Sequence, residues 1–302
     1  MPMGCLREAI GTISRLIKPR RLLSGPFVVF YFKENKMKFI KMRSRISRIT
    51  LLTLALAFVF AENSPAHYGM VIPSDNMIMQ NEKREIKLTL SFSHPFEIIG
   101  MELVKPKAFF VVMNGKKQDL IEALGPLTIM DKPAWALEFP VKRPGAHVFV
   151  MEPEAYWEPA EDCFIIHTTK TIVAAFGDDS GWDEELGLKT EIIPLTRPFG
   201  LYAGNLFQGI VKLDGKPVPH AEVEIEFYNQ NKTAVAPTDY MITQTIKADQ
   251  NGVFSYCAPV SGWWGFAALS TSDKKMMHNG EKKDIELGAV LWVKFENWQE
   301  KK

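Results

Sequence analysis

Residues 84–93, REIKLTLSFS, alternate strictly: Ile86, Leu88, Leu90 and Phe92 are apolar, while Glu85, Lys87, Thr89 and Ser91 are polar. A period of two belongs to a strand with one buried and one wet face, and a helix cannot gather such residues onto a single side. Comparable short runs follow at 107–113 (with Asn114-Gly115 behind it), 134–141, 147–151 and 163–176, each bounded by turn formers. Strands at this spacing, with no helical pattern between them, predict an all-β sandwich.

The second half repeats the theme. A strand runs into Asp214-Gly215, which supplies the positive φ of a tight turn, and the chain returns after Pro217-Val218-Pro219. Val223, Ile225 and Phe227 alternate with Glu222, Glu224 and Glu226, and further strands are expected over 241–248, 253–256 and 286–295. Residues 177–198 are acidic, rich in turn formers and without alternation, so they read as a connection. The predicted architecture is two tandem immunoglobulin-like/transthyretin-like β-sandwich domains, 67–198 and 199–302, after an N-terminal signal peptide. No phosphate loop, heptad or βαβ alternation is present.

The signal peptide is read from residues 37–66. Met37 opens a basic stretch with Lys38, Lys41, Arg43, Arg45 and Arg48, followed by the 13-residue apolar run 49–61 and then Ser64-Pro65-Ala66. A membrane-spanning helix needs about 20 apolar residues, so this layout predicts export and cleavage after Ala66, with Met37 as the start and 1–36 as an upstream extension. The expected location is the periplasm. Removing 1–66 takes away 12 Lys/Arg and 3 Asp/Glu, leaving 24 basic and 32 acidic residues, a net charge of −8. An acidic chain lacks the clustered cations that nucleic acid or an anionic membrane demands, so it is peripheral to a membrane at most and cations are its natural ligands.

The chemistry-bearing residues are the histidines. Cleavage after Ala66 gives His67 a free α-amine beside its imidazole, two nitrogen donors that suit Ni²⁺, Co²⁺ or Cu²⁺. His94 shares the alternation of Leu88, Leu90 and Phe92 and is expected to point inward at the sandwich rim, where a buried imidazole needs a partner. His167 and His147, in neighbouring strands of the first domain, are further metal candidates, with Glu152, Glu158 and Glu161 as oxygen donors or as orienting partners. His220 and His278 fall in polar loops. Met70, Met77 and Met79 could offer thioether sulfur, but core filling is the commoner use of methionine. Trp263, Trp264, Trp292 and Trp298 read as packing before they read as a sugar platform. Cys163 and Cys257 show no zinc or redox spacing and are expected to be buried small hydrophobes.

Two resemblances add to this. Gly209, Val211, residues 214–218, Ala221 and Val223, then Asp249, Gly252, Phe254 and Gly262-Trp263, resemble the transthyretin-like or carboxypeptidase-regulatory-like sandwich, a motif that marks architecture only. The segments 66–69, 93–96, 101–106, 156–159 and 197–204 resemble a family of bacterial periplasmic proteins of unknown function associated with cobalt/nickel ABC-type transport (NikK/NikM-like). Its members open with a histidine after the signal peptide, as His67 would; they often continue Asp-Phe-Trp, where this chain has Tyr68-Gly69-Met70. The resemblance implies a non-catalytic protein that captures Ni²⁺ or Co²⁺ for the membrane component of an ABC- or ECF-type transporter. The alternatives are a structural or carbohydrate-binding envelope module and, last, a copper enzyme with an N-terminal histidine brace.

Overall fold

The computed structural model describes residues 66–300; the expected extension and export signal lie outside the described residues, Ala66 excepted. The fold is all-β, as the alternation predicts, with two three-residue 3-10 turns as the helical elements among the described residues. No described helix is long and apolar enough to cross a membrane.

A central sheet carries strands of both halves, in the order Gln244–Lys247, Glu222–Phe227, Gly262–Thr271, Ile285–Glu296, Cys163–Ala175, Gly145–Glu152, Ala108–Met113 and Lys116–Asp119. Its seam is the parallel pairing of Cys163–Ala175 with Ile285–Glu296, from Phe164↔Ile285 to Thr171↔Trp292. The halves read as tandem domains are therefore joined edge to edge in one sheet. A parallel pair needs a long connection, and here most of the second half supplies it, so no local turn signal announces the seam.

A smaller sheet, built on Tyr68–Pro73, Glu85–His94, Lys132–Pro140 and Gly125–Ile129, covers one face of the central sheet. Ile86, Leu88, Leu90 and Phe92 all point into this core, against Phe109, Val111, Phe149, Met151, Ile165 and Val173. A third sheet, containing Thr190–Pro194, Leu206–Leu213 and Val253–Cys257, covers the opposite face. There Ile192, Phe207, Val211 and Phe254 meet Val148, Val150, Ile172, Val223, Ile225, Phe266 and Leu291. Strand Ala108–Met113 serves both cores, Phe109 and Val111 on one side and Phe110 and Val112 on the other. This is why it reads as an unbroken apolar run instead of alternating.

Three local outcomes differ from expectation. Thr190–Pro194 is a fully buried strand inside the stretch read as a connection, pairing with Leu206–Leu213; five residues between turn formers are too short to declare a period. Cys163 is only half-buried and Cys257 is exposed, because each sits at the end of its strand, where the sheet opens to solvent. His278 stacks on Trp157 with ring centroids 3.7 Å apart instead of lying free in its loop. The Asp214-Gly215 turn holds: both residues have positive φ, 50° and 71°. Trp263, Trp264 and Trp292 are core, whereas Trp298 is exposed and stacks on Tyr202.

Candidate metal centre

The antiparallel register Tyr68↔Ser93 sets His67 opposite His94 at the mouth of the first sandwich. Both rings lie on the face shared by Val71, Leu90 and Phe92, so they point toward the central sheet. Their centroids are 4.7 Å apart, and the two residues are 6% and 8% exposed. From the central sheet His167, 2% exposed, approaches the same place; the Phe92 ring stands edge-on to His167 at 6.0 Å and stacked on His67 at 5.9 Å. The layers of the sandwich thus bring together three of the four histidines singled out in the sequence.

Each ring has an oxygen partner that orients it. Nε2 of His67 donates to Glu158 Oε2 at 2.9 Å, and its Nδ1 lies 3.9 Å from Glu161 Oε1. Glu158 ends the short strand Tyr156–Glu158, paired with Cys163, and Glu161 sits in the turn between them. His94 donates through Nδ1 to the Ala66 carbonyl at 2.8 Å, which places the lone pair of the neutral ring on Nε2. His167 donates through Nε2 to Glu286 Oε1 at 3.1 Å, leaving the lone pair on Nδ1, a buried atom with no hydrogen-bond partner. An imidazole whose N–H is held by a carbonyl or carboxylate presents its other nitrogen as a fixed, more basic donor, the arrangement that metal-ligating histidines use.

Burial lowers the affinity of His67 for a proton, the neighbouring His94 and His167 lower it further, and Glu161 and Glu158 oppose them. Burial pushes Glu286 upward, but the hydrogen bond from His167 and the charges of His167 and His67 hold it below the usual carboxylate range. Glu224, two strands along the central sheet from Glu286, is pushed up to about 7 by burial and by Glu286, Glu222 and Glu161. Among the described residues no three or more His, Cys, Asp or Glu side chains are already set around one common point as an ion would require. The donors are gathered and oriented, with His67 held by Glu158 through Nε2. Beside them a cavity of about 260 Å³, walled by Phe92, Met151, Tyr156, Trp157 and Ile165, reaches His167.

The remaining candidates fall elsewhere. His147 pairs with Val173, six residues along the strand from His167, which is about 20 Å. It is buried against Phe139, with Nδ1 donating to Gly145 O and Nε2 unpartnered. Glu152 lies on the opposite face of its strand from Phe149 and Met151 and lines a separate cleft with Phe110 and Lys117. Met70 is buried and accepts from Ser93 Oγ, Met77 packs against the second core, and Met79 is exposed. His220 is an exposed turn residue.

Residues 64–272, well over half of the chain and starting just ahead of His67, match a domain of unknown function, DUF4198. The chain belongs to the DUF4198 family.

No curated protein matches. Among solved structures, the D0-D1 domain of intimin is 12% identical, over 75% of this chain and 99% of that one, with a TM-score of 0.23. The Yersinia pseudotuberculosis adhesin InvE is 10% identical, over 76% and 61% of the two chains, with a TM-score of 0.23. The E. coli alpha-2-macroglobulin is 7% identical, over 76% of this chain and 14% of its own, with a TM-score of 0.21.

Two residues of the centre escape a sequence reading of this DUF4198 chain, and both lie beyond the matched span: Glu286, which holds His167, and Gly288, which makes room for it. Their signal exists only once the parallel seam is known, because Ile165↔Glu286 and His167↔Gly288 are register partners.

Proposed function

We propose that this DUF4198 chain is an exported, non-catalytic metal-binding protein of the periplasm. It captures Ni²⁺ or Co²⁺ through His67, His94 and His167 and presents the ion to the membrane component of an ABC- or ECF-type uptake transporter. The observation that carries the reading is the buried, unpartnered Nδ1 of His167, on a ring held by Glu286 that shares the Phe92 ring with His67, itself 4.7 Å from His94. Leaving a buried nitrogen lone pair unpaired costs free energy, and an ion is the partner for which carboxylate-held imidazoles are suited. Imidazole with oxygen donors suits first-row divalent ions, and the nitrogen-rich set with an N-terminal amine points to Ni²⁺ or Co²⁺, with Cu²⁺ as competitor. Glu158 holds the His67 ring through Nε2 and leaves its Nδ1 for the ion.

Calorimetric titration of the chain beginning at His67 with NiCl₂ and with CoCl₂ at pH 7.5 tests this. Saturable one-site binding is expected, weakened at least about tenfold by His167→Ala and by about 10–100-fold in Glu286→Gln, the usual cost of losing an orienting partner. Absence of binding by the unsubstituted chain to both ions overturns the reading.

A further inference from the structure

The Ala66 carbonyl is the acceptor for His94 Nδ1, at 2.8 Å, and the atom bonded to that carbonyl carbon is the main-chain nitrogen of His67. We infer that hydrolysis of the Ala66–His67 peptide bond assembles the ion site: water adds across the bond, the upstream segment leaves with Ala66 as its terminal carboxylate, and His94, until then capped by a peptide oxygen, faces the free amine of His67. The inference rests on the metal-binding reading above and adds donor atoms to it: the α-amine and Nδ1 of His67 and Nδ1 of His94, alongside His167.

The geometry follows from covalent dimensions. Within a peptide unit the carbonyl oxygen and the following nitrogen are about 2.3 Å apart, so the His67 nitrogen lies within about 5 Å of His94 Nδ1. Two nitrogens sharing one ion at about 2.0–2.1 Å each lie about 3–4 Å apart. The gap is short by only a small closure of the edge strand, and the group that fills it in the uncut chain is the Ala66 carbonyl. Before the cut, the His67 nitrogen is an amide whose lone pair is delocalised, and His94 Nδ1 carries the proton given to that carbonyl. After the cut the amine has a lone pair. Nδ1–H has lost its acceptor, and moving the His94 proton to Nε2 turns Nδ1 toward the same point. His67 Nδ1 is not the nitrogen that donates to Glu158, so it is available to close a chelate with its own amine.

Burial fixes the order of events. Ala66 and His67 are each 6% exposed, and Ala66 packs with Tyr68, Met70 and Trp263, so the bond between them is out of reach of a protease once the edge strand docks. The cut has to come on the extended chain, and the folded protein is then born with its site open.

The test uses two chains purified side by side, one beginning at His67 and one beginning at Ala66, their N-termini verified by mass and their folding compared by thermal denaturation. Each is titrated calorimetrically with NiCl₂. The chain beginning at His67 should bind at least about 100-fold more tightly, since one added residue turns the His67 nitrogen back into an amide, moves the amine to Ala66 and restores the cap on His94. His94→Ala should weaken binding by the His67-initiated chain at least about tenfold. Equal affinity of the two chains overturns the inference while the metal reading stands; no binding by either overturns both.

Discussion

His167 lies over Gly288, with the Cγ–Cδ2–Nε2 edge of the imidazole filling the space that a side chain at position 288 would occupy. A Cβ there would sit 2.3 Å from Cδ2 and 2.6 Å from Nε2, closer than carbon atoms approach in real contacts. The glycine is what lets the ring lean along its own strand's partner to reach Glu286, and it leaves the opposite edge, with Nδ1, directed away from that strand. Gly288→Ala should therefore expel His167 from its place, costing about 1–3 kcal/mol of stability as overpacking does. Nickel affinity should fall with it. Urea denaturation with calorimetry on the same preparation checks both; an alanine variant that binds nickel as well as the parent would show that the ring position has no bearing on the ion.

His147 provides the contrast. It is as buried as His167, and burial lowers its proton affinity, but its neighbours are Phe139 and the Gly145 carbonyl, with no carboxylate and no second imidazole at hand among the described residues. His147→Leu should leave metal affinity unchanged and shift stability by no more than about 1 kcal/mol, since it removes one hydrogen bond together with one unpartnered nitrogen. Loss of metal binding in this variant would place the ion in a different part of the sandwich.

Glu226 gives the stability of the chain a pH dependence of its own. Its side chain is fully buried under Phe96 and Thr243, near Tyr68, Glu97 and Glu224, and desolvation pushes its pKa from 4.5 up to about 7. The folded state therefore binds a proton that the unfolded chain has released between about pH 4.5 and 7. The stability gained from that proton is whole at low pH and is lost as pH rises through 7. Glu226→Gln keeps an acceptor for Thr243 and Phe96 without the titration. Relative to the parent it should gain stability between pH 5 and pH 8, approaching about 3 kcal/mol. Urea melts at the two pH values report it, and a difference that does not change with pH would mean the carboxyl is ionised in the fold throughout.

How far this site can be read in the sequence depends on which contacts are local. The alternation through Ile86, Leu88, Leu90 and Phe92 carries His94 inward with it, and the same period places His167 on a buried face. The pairing of His67 with His94 needs only the strands Tyr68–Pro73 and Glu85–His94. Glu286 and Gly288 reach the site across a parallel seam between residues more than a hundred apart, and periodicity carries no register over such a distance. His147 has the same local pattern as His167, an imidazole in a buried strand, so only the register separates them, by six residues along one strand. The strand Thr190–Pro194 is hidden for a related reason: Ile192 is identified as core by the sheet it packs against, not by its neighbours in sequence.

The same distance argument applies to the ion pair beneath that strand. Lys170 Nζ lies 2.6 Å from Glu191 Oε1 with both side chains 2% exposed, and the Glu191 carboxylate also accepts from the main-chain nitrogens of Leu186 and Leu188. Burial lowers the proton affinity of Lys170, and the charge of Glu191 works against it. The pair links the central sheet to the third sheet at the point where residues 186–191 fold over it. Lys170→Met leaves a buried carboxylate whose remaining partners are amides, and should cost about 3–5 kcal/mol. Glu191→Leu added to it removes the orphaned charge and should restore part of the loss, because two apolar side chains suit a buried site better than one unpaired ion. A double-mutant cycle by urea denaturation measures the coupling. Losses that simply add would show that Lys170 and Glu191 do not rely on each other, and that the loop at 186–191 is held down by its leucines alone.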